Sequence, residues 1–360
     1  LVALLKPRNL FLIIGRGGGK TNDFLTERLM DMVYDMPGAP IALVSDTYTN
    51  LDKNILHVIL DGLERKGWKE GVHYVVGKEP PEVTPEMLKA VPEEFREHLW
   101  KPYNRILSYK HTIIFFTGLN ITLVSLDRPS AAAGNSYVHI IGDEVKFFPE
   151  AKIAKLTKAL RGYYVKYGRS VYYRGQTFTT DMPNINNVGE YDWILKQRMK
   201  KKNIMNILKV AFVMNEVTEE LIVAKEIGDP VEIKNKQRLY DRWKERYEVI
   251  RQKSTFFYIA SSYINADILR PEYFEDEFEG NLEDVLTAIL STKPRLAAGN
   301  KFYFAVKSAN YYGDGTSSRY SPEFGIRDEE DCRLLKYLRK DQPLEIGVDF
   351  GNMISISVGQ

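Results

Sequence analysis

A glycine-rich stretch near the start of the chain, GRGGGKT at residues 15–21, contains the residue types that bind phosphate groups. It follows the apolar run FLII and precedes an amphipathic segment, so it is predicted to join a strand to a helix. Such a turn surrounds an anion with backbone N–H groups and a helix N-terminus. Lys20 would reach the β- and γ-phosphates of a nucleotide, and the Thr21 hydroxyl would bind Mg²⁺. The predicted phosphate-binding positions are Gly15, Arg16, Gly17, Gly18, Gly19, Lys20 and Thr21.

A second stretch, YVHIIGDEVKFF, provides an acidic pair at the end of an apolar run. Asp143 and Glu144 follow the predicted strand 138–142, and ligands of open α/β sheets collect at the carboxyl ends of strands. Asp143 would hold Mg²⁺, while Glu144 would orient and deprotonate an attacking water. The pair favours ATPases of the additional-strand type over nucleoside kinases, which lack this glutamate.

A third stretch, VYYRGQTFTTDMP, is predicted to bring polar side chains to the same edge of the sheet. Gln176, Thr177 and Thr179 would sense the γ-phosphate and relay its loss to the rest of the protein. The alternative interpretation is a polar strand end followed by the turn-forming residues Asp181 and Pro183.

The elements that must position these residues alternate between apolar runs and helical patterns, as an α/β fold requires. Strands are predicted at 10–14, 40–45, 112–116, 121–126, 138–142 and 171–177, with a further one in 255–264. Helices are predicted at 20–35, 49–66 and 150–161, and the charged segment 216–252 is helix-prone. The sequence therefore predicts an α/β fold: a P-loop NTPase of the additional-strand type, with a mostly parallel sheet and helices on both faces.

Composition excludes several other classes of protein. The 360 residues are 44% apolar and 27% charged, with a net charge of +2, which is typical of a globular protein and excludes neither nucleic-acid nor protein partners. Cys332 is the single cysteine, so no intramolecular disulfide forms, and the histidines show no metal-ligand spacing that would predict zinc. No apolar run is long enough to predict a membrane span.

With GRGGGKT, AAAGNSYVHIIGDE and GQTFTT in this order, the chain resembles the large terminase subunit of tailed bacteriophages, an ATP-driven DNA-packaging motor with an attached nuclease. ASSYINADILRPEYFEDEF is similar to the segment that closes the family's ATPase domain, and IGVDFGNMISISVG to the first hairpin of its ribonuclease-H-like nuclease. Ile14 departs from the pattern, because the family usually has a glycine there. The adenine-contacting segment upstream of the family's phosphate loop is missing, so no adenine contact is assigned.

The resemblance implies three parts: a P-loop ATPase motor domain at 1–300, a linker at 301–343 and the start of a ribonuclease-H-like domain at 344–360. Asp349 matches the first metal-binding aspartate of the nuclease. Later carboxylates would complete a site for a pair of Mg²⁺ or Mn²⁺ ions. They are expected beyond Gln360, so endodeoxyribonuclease activity is expected only of a full-length chain.

Arginines and lysines provide the less specific predictions. Arg16, from the same subunit, and Arg128, from a neighbouring one, are the two candidates for an arginine that acts on the γ-phosphate, although either would also fit a plain surface residue. DNA contact is expected to be electrostatic and independent of sequence. The candidate clusters are Lys196 to Lys202 and the helical set Lys152, Lys155 and Lys158, with a solvated surface as the alternative.

The function that the resemblance implies is ATP hydrolysis with Mg²⁺ that drives double-stranded viral DNA into a procapsid. The implied partners are double-stranded DNA, the portal protein, the small terminase subunit and further copies of the chain in a ring on the procapsid, with no membrane. The implied location is the host cytoplasm and, transiently, the procapsid. A helicase-type translocase and a non-hydrolysing structural ATP-binding subunit are the alternatives; a single P-loop argues against the first, and Glu144 against the second.

Overall fold

The computed structural model describes residues 2–127, 134–197, 199, 201–294, 341–343, 345–349 and 355–359. The chain divides into two compact units, Leu1–Leu296 and Ala297–Gln360. The first unit contains an eight-stranded sheet, and the second contains a two-stranded one. In the described part of the chain, every helix is too short or too polar to span a membrane.

The sheet of the first unit is mostly parallel. Its strands are β1 (Asn9–Ile14), β2 (Pro40–Ser45), β3 (Tyr74–Val76), β4 (Thr112–Phe115), β5 (Asn120–Ser125), β6 (His139–Gly142), β7 (Gly175–Thr180) and β8 (Thr255–Ala260). They lie in the order β3-β4-β5-β2-β6-β7-β1-β8. The six strands from β5 to β8 in this order pair in parallel, and β3 and β4 extend the β5 edge in antiparallel pairing.

Strand β7 defines the subtype of this fold. It lies between β1, which leads into the glycine-rich loop, and β6, which leads into the acidic pair, and it pairs in parallel with both. This inserted strand is the additional strand that the sequence predicts, so the predicted fold class is confirmed. Since all three strands run in the same direction, their carboxyl ends meet at one edge of the sheet.

Helices cover both faces of the sheet. The main helices of the first unit are α1 (Val2–Leu5), α2 (Thr26–Asp35), α3 (His57–Arg65), α4 (Pro85–Ala90), α5 (Glu150–Thr157), α6 (Tyr164–Tyr167), α7 (Lys201–Ile227), α8 (Pro230–Arg251) and α9 (Ala266–Phe278), with short helical turns at Tyr48–Asn50 and Leu282–Asp284. Strand β1 is buried along almost its whole length. Because alternate residues of a strand point to opposite faces, its side chains belong to the core on both sides of the sheet. Phe11 and Ile13 pack with Ile153 of α5, whereas Leu10 and Leu12 pack with helix α7 on the other face.

The structure corrects three boundaries that the sequence predicts. The strand predicted at 171–177 occupies 175–180, because residues 171–174 form a turn in which Arg174 has a left-handed φ of 54°. The charged segment 216–252 belongs to two helices, α7 and α8, separated where Gly228 (φ 81°) is followed by Asp229 and Pro230. Asp229 caps α8 by accepting a hydrogen bond from the Val231 N–H at 2.9 Å. Strand β3 is a short edge strand that no pattern in the sequence predicts.

The second unit contains an antiparallel hairpin of β9 (Glu345–Asp349) and β10 (Ser355–Gly359). The register places Asp349 opposite Ser355. The hairpin therefore forms where the sequence predicts one, while the nuclease identity of this unit stays a prediction.

Candidate active site

Three segments that are distant in the sequence meet at the carboxylate of Asp143. The Thr21 hydroxyl, from the glycine-rich loop, donates a hydrogen bond to Asp143 Oδ2. The Thr179 hydroxyl, from β7, donates to Asp143 Oδ1 at 2.6 Å. Asp143 is 2% exposed, so these contacts are shielded from bulk water. The ends of β1, β6 and β7 thus form one site, with Asp143 at its centre.

The lysine of the glycine-rich loop and the glutamate of the acidic pair form an ion pair. Lys20 Nζ lies 2.9 Å from Glu144 Oε1. Burial by itself lowers the pKa of Lys20, but the carboxylates of Glu144, Asp143 and Asp181 outweigh it and raise that pKa. Burial raises the pKa of Glu144, and Asp143 adds to this effect while Lys20 opposes it. In this structure, Glu144 is therefore a partly exposed carboxylate, with 30% of its side chain accessible to solvent, paired with one largely buried lysine.

The backbone at Glu144 adopts a rarely occupied conformation. Its φ of 53° and ψ of 42° lie in the left-handed region, and a short turn, Val145–Phe147, begins directly after it. A non-glycine residue in this region costs about 1–3 kcal/mol. The Glu144 N–H donates to Asp143 Oδ1 at 2.9 Å, so the same carboxylate that binds Thr179 also contacts the strained residue.

The glycine-rich loop has the shape of an anion cradle. Gly19 has a left-handed φ of 73° and precedes a π-helical turn, Lys20–Leu25, which continues into α2. The first N–H groups of this turn have no preceding helical turn to bind, and they are available to an anion. Ile14 is a fully buried core residue whose side chain occupies the space beside Gly18. The isoleucine at position 14 therefore packs in the core at the end of β1, and the glycine-rich loop begins directly after it.

A segment from far along the chain supports the loop from outside. Ser262 Oγ donates to the Arg16 carbonyl at 2.6 Å, and Asn265 Nδ2 donates to the Gly17 carbonyl at 2.8 Å. Gly15 approaches Ser262 so closely that a Cβ at Gly15 would clash with it. These contacts come from the segment ASSYINADILRPEYFEDEF. The sequence alone did not reveal its role in fixing the loop, because Ser262 and Arg16 are 246 residues apart.

Arg16 belongs to a second charged cluster, beside the first. Its Nε lies 3.6 Å from Asp181 Oδ2, and half of its side chain is exposed. Lys146 Nζ binds the other oxygen of Asp181 at 2.8 Å and lies 3.6 Å from Glu190 Oε1. Asp181 follows β7, and Lys146 comes two residues after Glu144, so this cluster ties the additional strand to the acidic turn. From the sequence, Asp181 is predicted only as a turn residue. Its position two residues after Thr179 was a signal for a role in the site, because residues two apart in an extended chain point to the same face.

Gln176 and Thr177 lie in the first half of β7, away from the edge where Thr179 binds Asp143. The Gln176 N–H donates to Asn9 Oδ1 at 3.1 Å. Thr177 Oγ1 accepts from Arg28 Nε at 2.6 Å and donates to His139 Nε2 at 2.8 Å, while His139 Nδ1–H donates to the Tyr172 carbonyl at 2.7 Å. Of the three predicted sensor residues, only Thr179 contacts the acidic pair.

His139 makes the buried network beneath the site sensitive to acid. Burial lowers its pKa to about 3, and the nearby charge of Arg28 contributes. This pKa lies below the ordinary histidine value of 6.5. The contribution of neutral His139 to the free energy of unfolding is therefore complete above pH about 6.5 and is lost as the pH falls towards about 3. At 1.36 kcal/mol per pKa unit, the native chain should gain about 2 kcal/mol in free energy of unfolding from His139 between pH 5 and pH 7. The His139→Gln variant lacks this gain, so it should be less stable than the native chain by about 2 kcal/mol more at pH 7 than at pH 5. Urea denaturation at both pH values measures this, and an equal difference at both would contradict it.

The oxygen ligands at the site fit Mg²⁺. Thr21 and Asp143 supply a hydroxyl and a carboxylate that touch each other, and Mg²⁺ is usually held by one or two protein oxygens together with phosphates and waters. Among the described residues, no cluster of three or more His, Cys, Asp or Glu side chains forms a metal cage. The donor set therefore fits a metal that arrives with a nucleotide.

The remaining predicted residues lie elsewhere. Arg128 is outside the described residues, and Asp349 ends strand β9 of the second unit. Lys196 is paired with Glu150 at 2.8 Å. Lys155 and Lys158 are exposed at the end of α5, with Lys152 half-buried on the same helix. The described lysines of the two clusters form no hydrogen bond or ion pair with the site residues, and both clusters remain predicted DNA contacts.

Solved structures of large terminases are among those that this chain resembles. The large terminase of a thermophilic bacteriophage is 11% identical over 80% of this chain and 48% of that one, with a TM-score of 0.44. Its complex with ATP-gamma-S is 9% identical over 79% and 47%, with a TM-score of 0.42. A large terminase ATPase domain mutant from Thermus phage P74-26 is 11% identical over 79% and 88%, with a TM-score of 0.37. The chain spans about half the length of the first terminase. No protein-family model and no curated protein matches the chain.

Proposed function

We propose that this chain is the ATP-hydrolysing part of a viral DNA-packaging motor, a large terminase. The observation that carries the proposal is the meeting of Thr21, Asp143 and Thr179 with the Lys20–Glu144 pair at one edge of the sheet. This set combines a phosphate cradle, hard oxygen ligands and a carboxylate base, which are the parts that hydrolysis of a nucleoside triphosphate needs. The ordered motifs of the sequence support the assignment to a terminase.

The residues of the site divide the work of hydrolysis. Lys20 and the N–H groups of the loop would bind the β- and γ-phosphates of ATP, with Thr21 and Asp143 holding Mg²⁺, which neutralises phosphate charge when bound. Glu144 would accept the proton of the attacking water. For this it must leave Lys20, whose ammonium would turn to the phosphates. Arg16 is half exposed, so its side chain would reach a phosphate from its place beside Asp181.

Thr179 would report the state of the nucleotide. Its hydroxyl binds Asp143, and its strand is followed directly by Asp181, which binds Lys146 in the turn after Glu144. A shift of Asp143 on loss of the γ-phosphate would therefore move the end of β7 as well. We propose that this movement is passed to surfaces that grip double-stranded DNA, in a ring of copies that works with the portal protein and the small terminase subunit.

The segment 344–360, which contains the hairpin of β9 and β10, is proposed to be the start of the nuclease. Asp349 would supply the first carboxylate of its two-metal site. Arg128 from a neighbouring subunit is proposed to act on the γ-phosphate.

Phosphate release by the native chain tests the proposal. Mg²⁺ and ATP should give a basal rate, and random-sequence duplex DNA should raise it, whereas a forked duplex should not be unwound. The absence of ATP-dependent phosphate release under both conditions would overturn the proposal in favour of a non-hydrolysing subunit. Strand separation that depends on ATP would instead indicate a helicase.

A further inference from the structure

Helix α8 carries a row of positive charges that no function has yet explained. Its cationic residues recur at every fourth position and are Lys234, Arg238, Arg242 and Arg246. With a rise of 1.5 Å and a turn of 100° per residue, neighbours in this row lie about 6 Å apart along the axis and the row spans about 18 Å. Its members stay within about 120° of the helix surface, so they form one face.

This face points to solvent. All four residues of the row are exposed, whereas Tyr240 and Tyr247 are partly covered and lie on the opposite side of α8, the side from which Lys236 reaches α7. The row contains no residue of the active site. The face is therefore available to a partner.

The charges of the row are not neutralised within the chain. In the part of the chain that the structure describes, none of the four forms an ion pair with a carboxylate. Lys236, on the opposite side, does so with Glu220 of α7 at 3.0 Å and Glu232 at 4.0 Å. Arg246 lies over the Trp243 ring, 4.7 Å from its centroid, and keeps its charge. Glu245 is exposed on the same face and Asp241 at its edge, so the face keeps a net charge of about +2.

We propose that this face of α8 binds the phosphate backbone of duplex DNA. The inference rests on the proposed function and identifies a DNA-binding surface for it. A straight row of cations complements a row of phosphates and reads no bases, which suits a motor that accepts any sequence. Single-stranded DNA is bound largely by stacking on aromatic side chains, and the aromatic residues of α8 lie away from this face. Helix α7 packs beside α8 and carries the acidic residues Glu216 and Glu219, which repel phosphate groups. DNA would therefore approach this pair of helices from the α8 side.

The salt dependence of binding tests the inference. The triple variant Arg238→Gln, Arg242→Gln and Arg246→Gln is compared with the native chain by fluorescence anisotropy, on a random-sequence duplex at a series of KCl concentrations. Each lost phosphate contact reduces the slope of log K against log[salt] by about 0.9, so the slope should become less steep by about 2.7. The matched control Lys53→Gln, Lys89→Gln and Lys110→Gln removes three exposed charges elsewhere and should keep the native slope.

The outcomes separate this inference from the proposed function. Native binding to the duplex with an unchanged slope in the triple variant overturns the inference and leaves the proposed function standing. Failure of the native chain to bind duplex overturns both. An equal loss of binding to single-stranded DNA or to polyglutamate shows that the face is not a duplex site. Basal ATP hydrolysis without DNA should be unchanged in the triple variant; if that variant does not fold, Arg242→Gln alone should reduce the slope by about 0.9.

Discussion

The Glu144→Gln variant should bind ATP as the native chain does and hydrolyse it about 10²- to 10⁴-fold more slowly, which is the usual contribution of a positioned general base. The amide keeps the size of the side chain but cannot accept a proton from water. The left-handed backbone and the contact of the Glu144 N–H with Asp143 do not depend on the carboxylate, so the turn should be preserved. Phosphate release measures the rate, and a fluorescent ATP analogue measures binding.

The pH profile gives this variant a second readout. A base acts when it is ionised, so the native rate should fall as the pH drops through the pKa of Glu144, which burial raises above its ordinary value. The residual rate of Glu144→Gln should lack this acid limb. Glu150→Gln makes the same chemical change at an exposed ion pair with Lys196 and should leave rate and profile unchanged. Hydrolysis by Glu144→Gln within twofold of the native rate would remove Glu144 from the mechanism.

The sequence predicts those site residues that have reactive or ligand-binding side chains and directly follow the end of a predicted strand. Lys20, Thr21 and Asp143 were found because a glycine-rich turn and an apolar run each define where a parallel strand ends. The sheet then brings them together, since β1 and β6 lie on either side of β7. Local patterns and a common strand direction were sufficient for this part.

The supporting residues depend on contacts that no local pattern encodes. Ser262 binds the loop carbonyl of Arg16 across 246 residues, and Lys146 binds Asp181 across a strand pair. The placement of Thr177 depended on where β7 begins. Residues 171–174 have the composition of a strand but form the turn before it, so the sequence places the start of β7 too early. The row on α8 was visible as charge, but which side faces solvent is decided by how α7 packs.

The Lys20→Met variant should lose both ATP affinity and hydrolysis, because one ammonium serves two partners. In the structure Lys20 is paired with Glu144, and with ATP bound it would contact phosphate oxygens. Loss of a hydrogen bond to a charged group costs about 1.5–3 kcal/mol, which weakens ATP binding about 10- to 100-fold. Loss of a charge that stabilises the transition state slows hydrolysis by about a further 10²-fold. Binding of the fluorescent ATP analogue and single-turnover phosphate release measure the two effects separately.

The same change also removes the charge that opposes the raised pKa of Glu144. Asp143 and Asp181 would then act on that carboxyl without Lys20, so its pKa should rise further, and the acid limb of any residual rate should move to higher pH. Lys66→Met removes an ion-paired lysine from the surface, where Lys66 binds Glu27 at 2.8 Å, and should change neither binding nor rate. Native ATP affinity in Lys20→Met would show that Lys20 serves only to hold Glu144. Since Glu144→Gln is expected to keep affinity and Lys20→Met to lose it, the pair of variants separates the binding of the phosphates from the activation of water.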